Sequence, residues 1–174
     1  MLASRTHPDV LEVASLTDVP RSTRIPVGED RLGRSRSVFG VMPFAIKVSS
    51  RDSGGASLVI EQANAYRGGP PRHLHHDQDE WFYVVEGEYV ISIGEETHRL
   101  MPGDSVLAPR RVPHAWALVG HAPGRMVIAF WPAGRMEEFF DAAVELDGTP
   151  APDVARPLFA AYGMEVVGPP LAVE

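Results

Sequence analysis

A chain of 174 residues, 44% hydrophobic and 22% charged, is long enough to bury one core and short for two independent ones. Its formal charge of −7 argues against a nucleic-acid partner, which needs clustered Lys and Arg, and the absence of cysteine excludes disulfides and thiolate metal ligands. Sixteen Gly and sixteen Pro divide the apolar residues into short runs, the composition of many short strands rather than long helices.

Residues 1–36 are polar, Pro-punctuated and Arg-rich, and read as an N-terminal arm with one edge strand at "VLEVASL" (10–16). His7, Asp9, Glu12 and Asp18 interrupt any signal-peptide apolar block, and no window approaches the ~18 apolar residues of a membrane helix, so the expectation is a cytoplasmic protein without a membrane partner. The arginines at 21, 24, 31, 34 and 36 are mixed with Glu29 and Asp30 and have no interleaved aromatic residue. That pattern predicts a solvated arm, or a strand packed on a neighbouring subunit, and not an RNA or DNA site.

From Phe39 the character changes to strands at 44–50, 56–65, 80–87, 88–95, 97–101, 105–109, 114–120 and 125–132. Turn residues separate them, among them Gly54-Gly55, Gly68-Gly69-Pro70-Pro71 and Ala122-Pro123-Gly124. Pro102-Gly103 suits a type II turn, because Pro holds φ near −65° and Gly accepts positive φ. Regular short strands predict an all-β antiparallel sandwich or barrel with its body at 39–132. Residues 134–146 place Met136, Phe139, Phe140, Ala143 and Val144 at helical spacing. That helix would cover a mouth of the barrel, close a sheet edge or make a dimer contact. A short helix around Pro157 to Tyr162, with Asp153 as a cap, and a last strand at "MEVV" complete a single domain.

The chemistry concentrates in "PPRHLHHDQDEWFYVVEGEY" (70–89). His73 and His75 share one face of a strand and His76 the other. Glu80 lies an odd number of positions after His75, so a continuous strand would turn it away, whereas a hairpin at "HDQD" would bring it beside the histidines. The bland reading is a polar turn between two strands. A fourth ligand candidate is His114, which opens "HAWALVG" and shares a face with Trp116. Three imidazoles and a carboxylate form a nitrogen and oxygen set suited to one divalent transition metal, Fe, Mn, Ni, Co or Zn, with open positions for substrate or dioxygen. His76 reads as a bystander, Asp77 and Asp79 as turn residues, and His7, His98 and His121 as surface residues. Phe82, Val84, Trp116 and Phe130 are candidates for an apolar substrate pocket or for ordinary core.

These spacings resemble the two cupin motifs. His73, one residue, His75, four residues, Glu80, six residues and Gly87 match the first, and Gly103, Pro109 and His114 fit the second. Departures are Arg67, Arg111 and Leu118, where the motifs carry Gly, Gly and Asn. The resemblance covers roughly Gly68 to Trp131. It implies a double-stranded β-helix jelly roll with His73, His75, Glu80 and His114 as metal ligands.

The chain looks most like small single-domain cupins grouped with quercetin 2,3-dioxygenase. That implies dioxygenation of a phenolic, flavonol-like or enolisable substrate, with Glu80 as ligand and base. A metal-dependent isomerase, epimerase or lyase is the alternative, favoured if Arg72, Arg110 and Arg111 point into the barrel. A non-catalytic module binding a small ligand is the third. Edge strands and a polar arm predict a homodimer.

Overall fold

The computed structural model describes residues 22–173, so the edge strand expected at 10–16 lies outside the described residues. Eleven strands and two helices follow in order: β1 Arg36–Val38, β2 Met42–Val48, β3 Leu58–Asn64, β4 Pro71–His75, β5 Asp79–Glu86, β6 Tyr89–Ile93, β7 Glu96–Leu100, β8 Ser105–Ala108, β9 His114–Leu118, β10 Gly124–Trp131, α1 Met136–Val144, α2 Pro152–Ala161 and β11 Met164–Pro170. One antiparallel sheet runs β1-β2-β3-β10-β5-β8 and the other β11-β4-β9-β6-β7. Together they make a jelly-roll barrel.

Alternation decides which side chains fill it. Leu58, Ile60 and Gln62 of β3, Glu80, Phe82 and Val84 of β5, and Met126, Ile128 and Phe130 of β10 are buried and lie beside one another across three paired strands. Tyr89, Ile91, Trp116 and Leu118 are the large buried aromatic and aliphatic residues of β6 and β9 in the second sheet. The corner at Pro102-Gly103 takes the expected form: Gly103 has φ 98° and the Asp104 N–H donates to Met101 O at 2.9 Å.

The helices fasten to this body by different means. Met136, Phe139, Phe140 and Ala143 of α1 face the core, and Phe140 packs on Phe44 with ring centroids 4.9 Å apart. The buried Glu137 carboxylate accepts from Ser49 Oγ and from the Ser50 N–H and Oγ, tying the start of α1 to the β2 to β3 connection. Helix α2 begins earlier than the sequence suggests. Pro152 stands at its first position, where a proline has no N–H bond to lose, and Pro157 is accommodated inside. Asp153 makes no side-chain cap and sits in the first turn, where its charge suits the helix dipole.

The stretch read as the end of an arm is tied down. Arg36 opens β1 with its guanidinium buried against Asp30, at 3.3 Å, and Asp141 of α1, while Arg31 forks onto Asp52 at 2.9 and 3.1 Å. No helix among the described residues is long and apolar enough to cross a membrane.

Candidate metal centre

His73 and His75 lie on β4, and His114 on β9 stands directly opposite His73 in the ladder. Glu80 comes from β5 in the other sheet, so the cluster bridges the two layers. The hairpin expectation is corrected here: β4 pairs with β9 and β11, while β5 pairs with β8 and β10. Residues 76–78 therefore carry the chain from one sheet to the other, and strand parity does not survive the crossing.

One carboxylate oxygen is the focus. Glu80 Oε2 lies 2.8 Å from His114 Nε2, 3.0 Å from His75 Nε2 and 4.0 Å from His73 Nε2. One ligand atom from each of the four residues lies within 4.8 Å of the others, and all four residues are buried. Backbone carbonyls orient two of the rings: His73 Nδ1 donates to Pro71 O at 2.8 Å and His114 Nδ1 to Val112 O at 2.9 Å. That arrangement leaves each Nε2 aimed at Glu80.

Electrostatics follow from this convergence. Burial opposes ionisation of Glu80, yet hydrogen bonds and charge from His114 and His75 carry its pKa well below the usual carboxylate range. Burial works against charge on His114 as well, but the bond to Glu80 raises its pKa. Burial, followed by the neighbouring His114 and His75, lowers His73 to about 3. His114 has both ring nitrogens against acceptors, the geometry of an imidazolium paired with a carboxylate. His75 is fully buried, its Nδ1 has no hydrogen-bond partner among the described residues, and its Nε2 has only the Glu80 oxygen that His114 already shares, at 3.0 Å. An unmet nitrogen in a buried imidazole costs about 1–3 kcal/mol. A divalent cation at this focus would give Nε2 a partner of its own, neutralise the carboxylate and displace one proton, so these residues fit a metal.

The turn before His114 is held from below. The Asp79 carboxylate accepts the Arg110 backbone N–H at 2.8 Å and the Arg110 guanidinium at 2.7 and 3.0 Å, and the Arg111 N–H donates to His75 O at 2.7 Å. The side-chain bond from Arg110 is the main cause that lowers the Asp79 pKa from 3.8 to about 2. A lowered carboxyl pKa stabilises the fold above the unfolded value and ceases to do so as pH falls through the folded one. Acid unfolding of Asp79→Asn and of the parent protein should therefore converge between pH 3.8 and about 2, and a gap unchanged down to that pH would refute this anchoring.

Arg111 also explains a departure from the motif. It has φ 65°, the left-handed conformation that a glycine adopts freely, and its side chain is exposed. Arg111→Gly should raise stability by up to ~1 kcal/mol in chemical denaturation, since the strain of a side chain in this region outweighs the entropy of glycine.

A small internal cavity of about 60 Å³ reaches His73, His75 and Glu80. Trp116 and Phe130 are on its wall, whereas Phe82 and Val84 fill the core beside it. Sequence reasoning missed Phe39, Phe159 and Gln62, which also line it. The alternation of "LVIEQAN" carried a signal for Gln62, inward with Leu58 and Ile60. Its Nε2 donates to Pro43 O and Ala63 O, at 3.2 and 3.3 Å. Helix α1 contributes Met136, Phe139 and Phe140 to the cavity wall.

Residues 64–130, the span holding all four clustered side chains, match the cupin domain family. An uncharacterised protein of Methanocaldococcus jannaschii, MJ1618, is 25% identical over 66 residues, 38% of this chain and 53% of that one. The chain thus spans about half the length of this curated relative. Among solved structures, KdgF from a Halomonas species superposes with TM-score 0.50 at 21% identity, covering 57% of this chain and 87% of its own. An RmlC-like cupin from Shewanella frigidimarina gives TM-score 0.50 at 20% identity, covering 66% and 96%. At these identities the likeness is one of fold. With the family match on the strands that carry the cluster and a jelly roll shared with solved cupins, residues 64–130 carry a cupin-type domain.

Proposed function

We propose that the protein is a metal-dependent oxygenase of small phenolic, flavonol-like or otherwise enolisable substrates, with His73, His75, Glu80 and His114 as metal ligands. One contrast carries the reading: the buried donor set opens on a cavity whose remaining wall is apolar and aromatic except for Gln62. A sugar, small acid or phosphate would need basic or polar groups there. The arginines nearest the motifs turn elsewhere. Arg72 donates to Ser92 Oγ and Gly94 O, at 2.9 and 2.6 Å, Arg110 pairs with Asp79, and Arg111 donates to His76 O. This disfavours an isomerase, epimerase or lyase of polar substrates. The chain's resemblance to small single-domain cupins grouped with quercetin 2,3-dioxygenase supports the same reading, although the two motifs themselves are common to cupins.

A bound transition metal would supply Lewis acidity toward an enolate oxygen and, if redox-active, a path for electrons to dioxygen. Glu80 borders the cavity, and with the histidine nitrogens that now hold its carboxylate given over to a metal it would accept the proton of the substrate's enolic hydroxyl. Trp116 and Phe130 line the cavity and keep water from the site. The test is oxygen uptake by protein loaded with Fe, Mn, Ni or Co against a panel of flavonols, catechols and β-diketones. Uptake matched by loss of at least one substrate is expected. No uptake with any of them removes the oxygenase reading.

A further inference from the structure

The cavity at the cluster, about 60 Å³, has room for only a few heavy atoms. Beside it lies a second cavity of about 470 Å³, within the size range of small-molecule sites. Phe39 and Phe159 line both, so their rings form the partition. The outer cavity is apolar, with Pro71, Ala155, Val166 and Pro169 on its wall. Arg156 is the charged side chain on that wall, and one of its N–H groups is spent on Val166 O at 3.0 Å.

Both partition rings are held by elements of the site. Phe159 of α2 meets the His73 ring edge-on, centroids 5.5 Å apart. Phe39 is buried at φ 54°, in a turn where Asn or Gly would be at ease. Its N–H donates to Ala143 O of α1 at 3.1 Å and its carbonyl accepts from Gly148 N at 2.9 Å. Backbone strain kept at the wall between two cavities is the kind found at ligand clamps. Pro71 lines the outer cavity, and its carbonyl accepts from His73 Nδ1 at 2.8 Å.

We propose that Phe39 and Phe159 divide the substrate site into a head pocket at the metal and a tail pocket outside. The substrate is then a chelating enol or phenol carrying an elongated apolar substituent that passes between the two rings. This rests on the oxygenase reading only for the head. A substrate larger than the inner cavity has to part these rings, and the adjoining apolar space receives what does not fit.

The test measures binding by calorimetry of catechol and its 4-methyl, 4-butyl and 4-hexyl derivatives to the full chain loaded with redox-inert Zn(II). Affinity should rise by up to about fourfold per methylene. Thr149→Trp, at an exposed residue on the rim of the outer cavity, should flatten the series. A flat series in the parent protein, or a length dependence that survives Thr149→Trp, overturns the proposal. The isomer 4-hexylresorcinol has the same tail without adjacent hydroxyls. If it binds as tightly as 4-hexylcatechol and Thr149→Trp weakens both, the tail pocket stands and the metal-bound head is lost.

Discussion

Glu80→Gln should lower Zn(II) affinity by about a hundredfold or more while leaving the protein folded. The magnitude follows from the geometry: His75 and His114 place Nε2 within 3.0 Å of the same Glu80 oxygen, with His73 at 4.0 Å. Outer-shell partners of metal ligands are already worth about 10–100-fold, and removal of an anionic ligand should exceed that. The fold survives because the His114 imidazolium, deprived of its carboxylate, releases its proton rather than remaining as an unpaired buried charge. Competition with a chelating dye gives the affinity and circular dichroism the fold. Affinity within threefold of the parent protein would remove Glu80 from the ligand set.

The same measurement made against pH has a definite sign. The raised His114 pKa means that the metal competes with a proton, so affinity should fall tenfold per unit of acidification wherever the pair holds that proton. Turnover divides the roles further. If Glu80 is also the base, Glu80→Gln at saturating metal still lowers kcat.

Gly69→Ala should be the most damaging single methyl group in the barrel. A Cβ at Gly69 would lie 1.8 Å from the carbonyl oxygen of Trp116 and 2.8 Å from its carbon. These are backbone atoms of β9, which sits inside its sheet between β4 and β6 and cannot swing aside as a side chain would. The chain must shift, at a cost of about 3 kcal/mol or more. For a protein of this size that is a fall in Tm of roughly 6–12 °C. Because β9 also carries His114, Zn(II) affinity should fall with it. A Tm loss under about 2 °C in thermal unfolding would show that the approach is relieved elsewhere. Gly87 is a milder version, with φ 85° and a Cβ position 2.7 Å from Gly124 Cα.

The glycines show how far the motif pattern reaches. At the position where the first motif carries glycine this chain has Arg67, and the requirement for a missing Cβ falls two residues later, at Gly69. In the second motif the backbone keeps the left-handed conformation although the residue is Arg111. In the first case the glycine is kept but displaced along the chain, and in the second the backbone conformation is kept without the glycine, so spacing locates the turn without identifying the residue that bears its strain.

What the sequence determined alone is the local part. Alternating apolar residues and Pro and Gly corners set β2, β3 and β5 to β10, and helical spacing set α1, whereas β4 showed only in the spacing of His73 and His75. Strand parity put His73 and His75 on one face, and spacing put donors of the right chemical type at His114 and Glu80. The tertiary structure decided how they meet. Glu80 reaches the histidines by crossing between two sheets, a relation that depends on how the layers pack and not on any periodicity within residues 76–78. It also decided that Phe82 and Val84 are core while Phe39, Phe159 and Gln62 meet the cavity. A strand's pattern reports which side faces inward, whereas which inward residue borders a void depends on residues far away in the chain that pack against it.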